Sequence, residues 1–197
     1  MEIHFVTNPT MEEMADAHFI PSIPSGFRQV PHRINIETSG NFGKDGYFDV
    51  IVERTEMILA EIERSLDDQL MVWCDVDVIF NQDCAGEIER LARGKDLMFQ
   101  QENPTRDECN FGIQVIRRNT RTLIFYAQLR IMQALISKDD QLCGNQLLEM
   151  IEGVEWHANC TKFDSMNGKR ILLAKARQLL GMPEPIGANG SHATRLP

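Results

Sequence analysis

LMVWCDVDVIFNQD, residues 70–83, carries the strongest structural signal in the chain. Met71, Val72, Trp73 and Cys74 form an apolar run that reads as a buried strand. It breaks abruptly into the acidic pair Asp75 and Asp77, with Val78, Ile79 and Phe80 behind. Burying an unpaired carboxylate costs several kcal/mol, so two of them at the end of a core strand demand compensation. Hard oxygen donors at this spacing suit Mg²⁺ or Mn²⁺, which take one or two protein carboxylates and leave positions for phosphate. The bland alternative is a strand end dressed with solvated aspartates.

On both sides of this strand, hydrophobic periodicity predicts an α/β chain. Residues 3–7 read as an opening strand and Asn8-Pro9 as its breaker, followed by a short helix over 11–18. Pro21, Pro24 and Pro31 predict an irregular segment, with a second strand at 33–36. Ser39, Gly40, Gly43 and Gly46 mark a loop. Ile51, Ile58, Ile62 and Leu66 recur at helical spacing over 48–66, just before the acidic strand. A helix over 85–91, strands at 97–100 and 111–116, and a long helix striped by Leu123, Ala127, Ile131 and Leu135 follow. Alternating strands and helices imply a mostly parallel sheet flanked by helices, with ligands outside the carboxyl ends of the strands. Asp75 and Asp77 fall at such an end.

Composition narrows the function. The chain has 197 residues and is 43% hydrophobic, the size of one compact domain spanning 1–197, with an irregular tail from about 181. A formal net charge of -9 and a pI near 5.0 argue against a general affinity for nucleic acid or anionic membranes. An anionic ligand would need a metal to receive it. The five cysteines, Cys74, Cys84, Cys109, Cys143 and Cys160, are odd in number and contain no C-x-x-C pair, so they read as reduced thiols. With no signal-like amino terminus and no run long enough to span a bilayer, the expectation is a cytoplasmic protein.

Four segments in order resemble nucleotide-diphospho-sugar transferases, the D-x-D glycosyltransferases of the glycosyltransferase-A fold. They are VTNPT (6–10), the helix containing Arg54 that leads into the D-x-D strand, LMFQQENPTRDECNFGIQVIRRNT (97–120), and KDDQLCGNQLLEM (138–150). The resemblance implies a single-domain α/β fold of that type and a metal-dependent, hexosyltransferase-type enzyme. Such an enzyme moves a sugar from a nucleotide diphosphate, UDP by preference and with retention of configuration, to a glycan, lipid or protein acceptor. It implies Mn²⁺ or Mg²⁺ on Asp75 and Asp77, with Asp75 alternatively holding the ribose. Thr7, Asn8, Arg54, Asp75, Asn110, Gly112 and Lys169 would meet the nucleotide sugar, and Asp140 and Gln141 would touch the sugar near the reacting carbon. The third metal ligand would be His157 in VEWHANCTK or, alternatively, His192 in ANGSHATR with Arg195 near the diphosphate. Preferring His157 removes a strand that the fold calls for. Three simpler readings stand beside these: Thr7-Asn8 as an ordinary turn, Arg54 as a solvated helix residue, and Asp139 or Asp140 as a helix cap.

The string D-V-D-V-I also resembles the first motif of haloacid-dehalogenase-type phosphatases. There the motif ends the opening strand, whereas here about seventy residues precede it. A non-catalytic module that binds a sugar nucleotide without turnover is the remaining alternative, because the chain is short for a transferase.

Overall fold

A computed structural model describes residues 1–38, 43–103, 106–152, 158 and 160–163. Six strands among them form one sheet: β1 (Glu2–Thr7), β2 (Arg28–Arg33), β3 (Leu70–Cys74), β4 (Leu97–Asn103), β5 (Arg106–Arg117) and β6 (Cys160–Phe163). Their order is β2-β1-β3-β5-β4-β6. β1 runs parallel to β2 and β3, and β4 parallel to β6. Only β5 is reversed, antiparallel to both β3 and β4, so the sheet is mostly parallel, as expected.

Helices cover both faces. Val72 and Cys74 of β3, with Ile3 and Phe5 of β1, pack against the first helical stretch and α4 (Ala85–Leu91). That stretch comprises α1 (Glu12–Met14), a π-helical turn Ala15–Phe19 and α2 (Ile20–Ser22). Met71 and Trp73 point to the opposite face, as the two-residue period of a strand requires, and meet α3 (Tyr47–Arg64), α5 (Thr120–Leu135) and α6 (Asp140–Ile151). Among the described residues no helix is long and apolar enough to cross a membrane.

Three sequence expectations change. The first helical stretch runs on to Ser22: the π-helical turn Ala15–Phe19 shifts the hydrogen-bond ladder, and Pro21 stands in the first turn of the short α segment that follows it, where its missing N–H is tolerated. The second strand lies at Arg28–Arg33 instead of 33–36, with Pro31 inside it; this is the edge strand, paired with β1 alone, and there a proline removes no ladder bond. In α5 the expected stripe is not the buried face: Leu123 is half-buried against the core, but Ala127 is exposed and Ile131 and Leu135 are 58% and 79% exposed, while Thr122, Phe125, Tyr126, Leu129 and Gln133 are buried. The aromatic pair decides the rotation, because Tyr126 can place its ring in the core while its hydroxyl donates to Gln114 Oε1 at 2.5 Å. Leu66, the last residue of the α3 stripe, lies beyond the helix and is exposed.

The RRNT run at 117–120 holds the fold. Buried Arg118 bridges Glu2 and Asp67, and Asn119 caps α5 in a reciprocal pair with Thr122.

α6 approaches β5 at Gly144, where an added Cβ would lie 2.1 Å from Phe111 Cζ. The Phe111 ring is stacked on Phe99 with centroids 4.6 Å apart and has no room to yield. Gly144→Ala is therefore expected to lower stability by about 2–3 kcal/mol despite alanine's better helix propensity. Gly86→Ala in α4, where a Cβ meets nothing within 4 Å, should instead raise it by roughly 0.5–1 kcal/mol. Urea unfolding midpoints of the two variants test the opposite signs.

Candidate functional site at the carboxyl edge of the sheet

β3 ends at Cys74, and Asp75 follows it, its N–H donating to the Gly112 carbonyl at 2.8 Å. Beyond the strand the chain alternates. Val76, Val78 and Phe80 are buried, while Asp75, Asp77 and Ile79 face partly outward at the strand's carboxyl end. The acidic pair thus stands where the sequence puts it.

Arg54 organises the surroundings. It lies on the inward face of α3 and is only 4% exposed, which rules out the solvated-helix reading. Its guanidinium forks, with Nη1 donating to Asp75 and Nη2 to Asp140. Burial pulls the guanidinium pKa down, but Asp140 and Asp75 more than reverse this, so Arg54 keeps its proton at all ordinary pH. Burial pushes the Asp140 carboxyl up, and Arg54 opposes it. Asp139, not Asp140, caps α6, accepting from Leu142 N at 3.0 Å. This division of labour frees Asp140 to turn inward.

On the β5 side, Asn110 Oδ1 accepts from Gly112 N at 2.8 Å, and Asn110 Nδ2 donates to Glu102 Oε2 at 2.6 Å. Gln141 Nε2 reaches the same Glu102 oxygen at 3.3 Å. A Cβ on Gly112 would lie 2.9 Å from Asn110 Oδ1 and 3.1 Å from Asp75 Oδ2. Glycine is therefore the residue that lets both polar side chains turn over the strand. Asn145 secures the frame, exchanging hydrogen bonds with the backbone of Cys109 at 2.7 and 2.9 Å.

Arg54, Asp75, Asn110, Gly112, Asp140 and Gln141 thus come together from α3, β5, α6 and the end of β3. Thr7 and Asn8 are buried at the end of β1. Asn8 Oδ1 is engaged in a turn, accepting from Met11 N at 2.9 Å. Beside them opens a cleft of about 600 Å³ lined by Pro9, Thr10, Glu37, Thr38 and Asp45. His157, Lys169, His192 and Arg195 lie outside the described residues. β6 begins at Cys160, three residues beyond His157 and within the segment GVEWHANCTKF that competes with this histidine as a strand. Two participants escape the sequence reading. Glu102 sits in a glutamine-rich strand with no motif of its own. Tyr47, at the start of α3, has its phenol pushed up by burial, then by Asp75.

The donor set of Asp75 and Asp77, two carboxylates two residues apart at a partly open strand end, fits a hard divalent cation. Among the described residues, the one cluster of three or more metal-type donors is elsewhere, at His4, His32 and Glu61.

No protein-family model and no curated protein matches the sequence. The fold does match solved structures. The chain is similar to the glycosyltransferase GlyE of Streptococcus pneumoniae TIGR4 with a TM-score of 0.57 and 9% identity, over 91% of this chain and 49% of that one. A glycosyltransferase involved in glycosylation of the major capsid of PBCV-1 gives 0.57 and 12%, over 83% and 81%. An active-site mutant of LgtC gives 0.50 and 13%, over 94% and 85%. The chain spans about half the length of GlyE. The protein therefore has the glycosyltransferase-A fold, a single layer of mostly parallel strands between helices.

Removing the central cation should expose its structural weight. Arg54→Ala leaves Asp140 buried without a counter-charge and is expected to cost about 3–5 kcal/mol in urea unfolding. Arg54→Lys keeps the charge but not the fork and should fall between. A loss below about 1 kcal/mol for the alanine variant would mean that Asp140 is hydrated.

Proposed function

We propose that the protein is a glycosyltransferase that uses a nucleotide-diphospho-sugar, of the UDP class, with a divalent cation. The observation that carries this reading is the Arg54 fork, which gathers Asp75, Asp140 and the Asn110–Gly112 turn at one strand edge. Transfer breaks the bond between the anomeric carbon and the diphosphate, and negative charge grows on the leaving phosphate. An edge this acidic repels a diphosphate unless a cation intervenes. Asp75 and Asp77 would hold Mn²⁺ or Mg²⁺, which when bound supplies Lewis-acid stabilisation of the leaving group.

The other residues orient the sugar. Arg54 fixes both Asp75 and Asp140, so one Asp75 oxygen is committed and the other faces the Gly112 turn. Asp140 and Gln141 would accept and donate hydrogen bonds to sugar hydroxyls, with Glu102 setting the orientation of the Gln141 and Asn110 amides. Thr7 and Asn8, beside the cleft at the end of β1, would face the nucleotide. Lys169 or Arg195 would lie near the diphosphate. The presence of β6 weighs toward His192 over His157 as the third ligand, because the strand after His157 is then accounted for. Retention and a hexosyl donor follow from the family resemblance.

A thermal-shift screen of nucleotide sugars with and without Mn²⁺ tests the reading. Stabilisation should require metal and nucleotide together, amounting to about 2.7 kcal/mol at a hundredfold excess over Kd. Asp77→Ala should abolish that shift while leaving the unliganded protein as stable as before. Gln141→Ala should reduce kcat for sugar transfer or hydrolysis far more than nucleotide affinity. Unchanged Mn²⁺-dependent affinity in Asp77→Ala would overturn the proposal. Tight binding with no turnover over long incubation would convert it to a non-catalytic sugar-nucleotide module.

A further inference from the structure

About two turns along α3 from Arg54, roughly 10 Å toward the opposite edge of the sheet, lies a second polar cluster that the proposed transferase chemistry does not use. His4 of β1 is fully buried and its ring is stacked with both Trp73 and His32, centroids 5.3 Å away in each case. His4 Nδ1 and His32 Nε2 are 3.0 Å apart. Donor atoms of His4, His32 and Glu61 all lie within 4.8 Å of one another. They come from three elements, β1, β2 and α3, that are distant in sequence.

We infer that His4, His32 and Glu61 form a binding site for a zinc-class divalent ion that clips the edge strand β2 and helix α3 to β1. The hydrogen bonding outside the cluster selects the donors. His4 Nε2 lies 3.1 Å from Glu2 Oε2, and Glu2 is itself anchored by Arg118 at 3.0 Å. A proton on Nε2 is therefore given to Glu2, which leaves the Nδ1 lone pair facing His32. This is the carboxylate–histidine arrangement that orients metal ligands and raises their basicity. Without metal, the short N–N contact is met by a proton on His32 Nε2. Binding shifts that proton to Nδ1 and leaves both rings neutral.

The dimensions agree. Nitrogens bound at about 2.0–2.1 Å to a tetrahedral ion sit ~3.3 Å apart, close to the spacing already present. Glu61 must close in, and its present partner, Arg64, is an exposed side chain that can swing away at little cost. Two imidazoles and one carboxylate select Zn²⁺ and its transition-metal neighbours over Mg²⁺ or Mn²⁺, so this site and the acidic edge would take different ions. Three protein ligands leave a fourth position for water.

The test uses the full chain, stripped with a chelator and titrated with Zn²⁺ and, separately, Co²⁺. One equivalent should bind, Co²⁺ should give the intense visible absorption of a four-coordinate site, and Zn²⁺ should raise the melting temperature. Because His4 is buried under Trp73 and its replacement could unfold the chain, the variants are His32→Gln and Glu61→Gln at partly exposed positions. Each should weaken Zn²⁺ binding at least tenfold and remove the four-coordinate spectrum, while Asp77→Ala leaves both unchanged. Absence of a Co²⁺ spectrum and of any Zn²⁺-dependent stabilisation in the parent would overturn the inference. Equal Zn²⁺ affinity in His32→Gln and the parent, which would put the ion on other residues, would do so as well.

Discussion

A single buried guanidinium holds the carboxyl edge of this sheet together. Arg54 comes from the middle of an amphipathic helix, where an isoleucine would complete the stripe begun by Ile51 and Ile58. Burying its charge is unfavourable by itself, and two carboxylates make it tolerable. Those carboxylates belong to segments 65 positions apart, Asp75 after β3 and Asp140 at the start of α6. Arg54 therefore fixes where α6 begins relative to the central strand. The glycines at 112 and 144 depend on the same closeness, one allowing side chains over β5 and the other allowing α6 against Phe111. A fork of this kind also gives direction. A lysine could balance charge but could not define two vectors at once.

Much of this is legible in the sequence, and the reasons are specific. The D-x-D strand announces itself because a folded chain rarely runs four apolar residues straight into an acidic pair unless something balances the charge. α3 shows because its isoleucines repeat at helical spacing next to that strand. The α5 stripe misleads because Leu123, Ala127, Ile131 and Leu135 fit helical periodicity as well as the buried set does. Only the tertiary contact between Tyr126 and Gln114 chooses between them. Edge strand β2 is hard to place because a proline argues against a strand unless the strand is known to be an edge, which is a property of topology. The role of Arg54 stays open at the level of sequence because buried and solvated arginines look alike there. Glu102, Tyr47 and the His4–His32–Glu61 cluster carry no local signal, since their partners are far along the chain.

The two polar centres divide the face of the sheet that packs on α3. Near the carboxyl ends of the strands the chemistry is all oxygen, with one protein cation already in place. Toward the other end it is imidazole and carboxylate under an indole ring. Trp73 and Asp75 are two residues apart on β3 and its exit, so one strand serves both. The helix–sheet packing that fixes Arg54 fixes Glu61 seven residues later on nearly the same helical face. Rigidity of α3 is the common requirement, and loosening it at either end should be felt at the other.

The decisive measurement is anomalous diffraction from crystals grown with Mn²⁺ and a hydrolysis-resistant UDP-sugar. A manganese peak should lie at Asp75 and Asp77, with the sugar against the Asn110–Gly112 turn and Gln141 and with Arg54 still forked between Asp75 and Asp140. Nucleotide bound elsewhere, or bound at this edge with no metal on the two aspartates, would contradict the proposed chemistry.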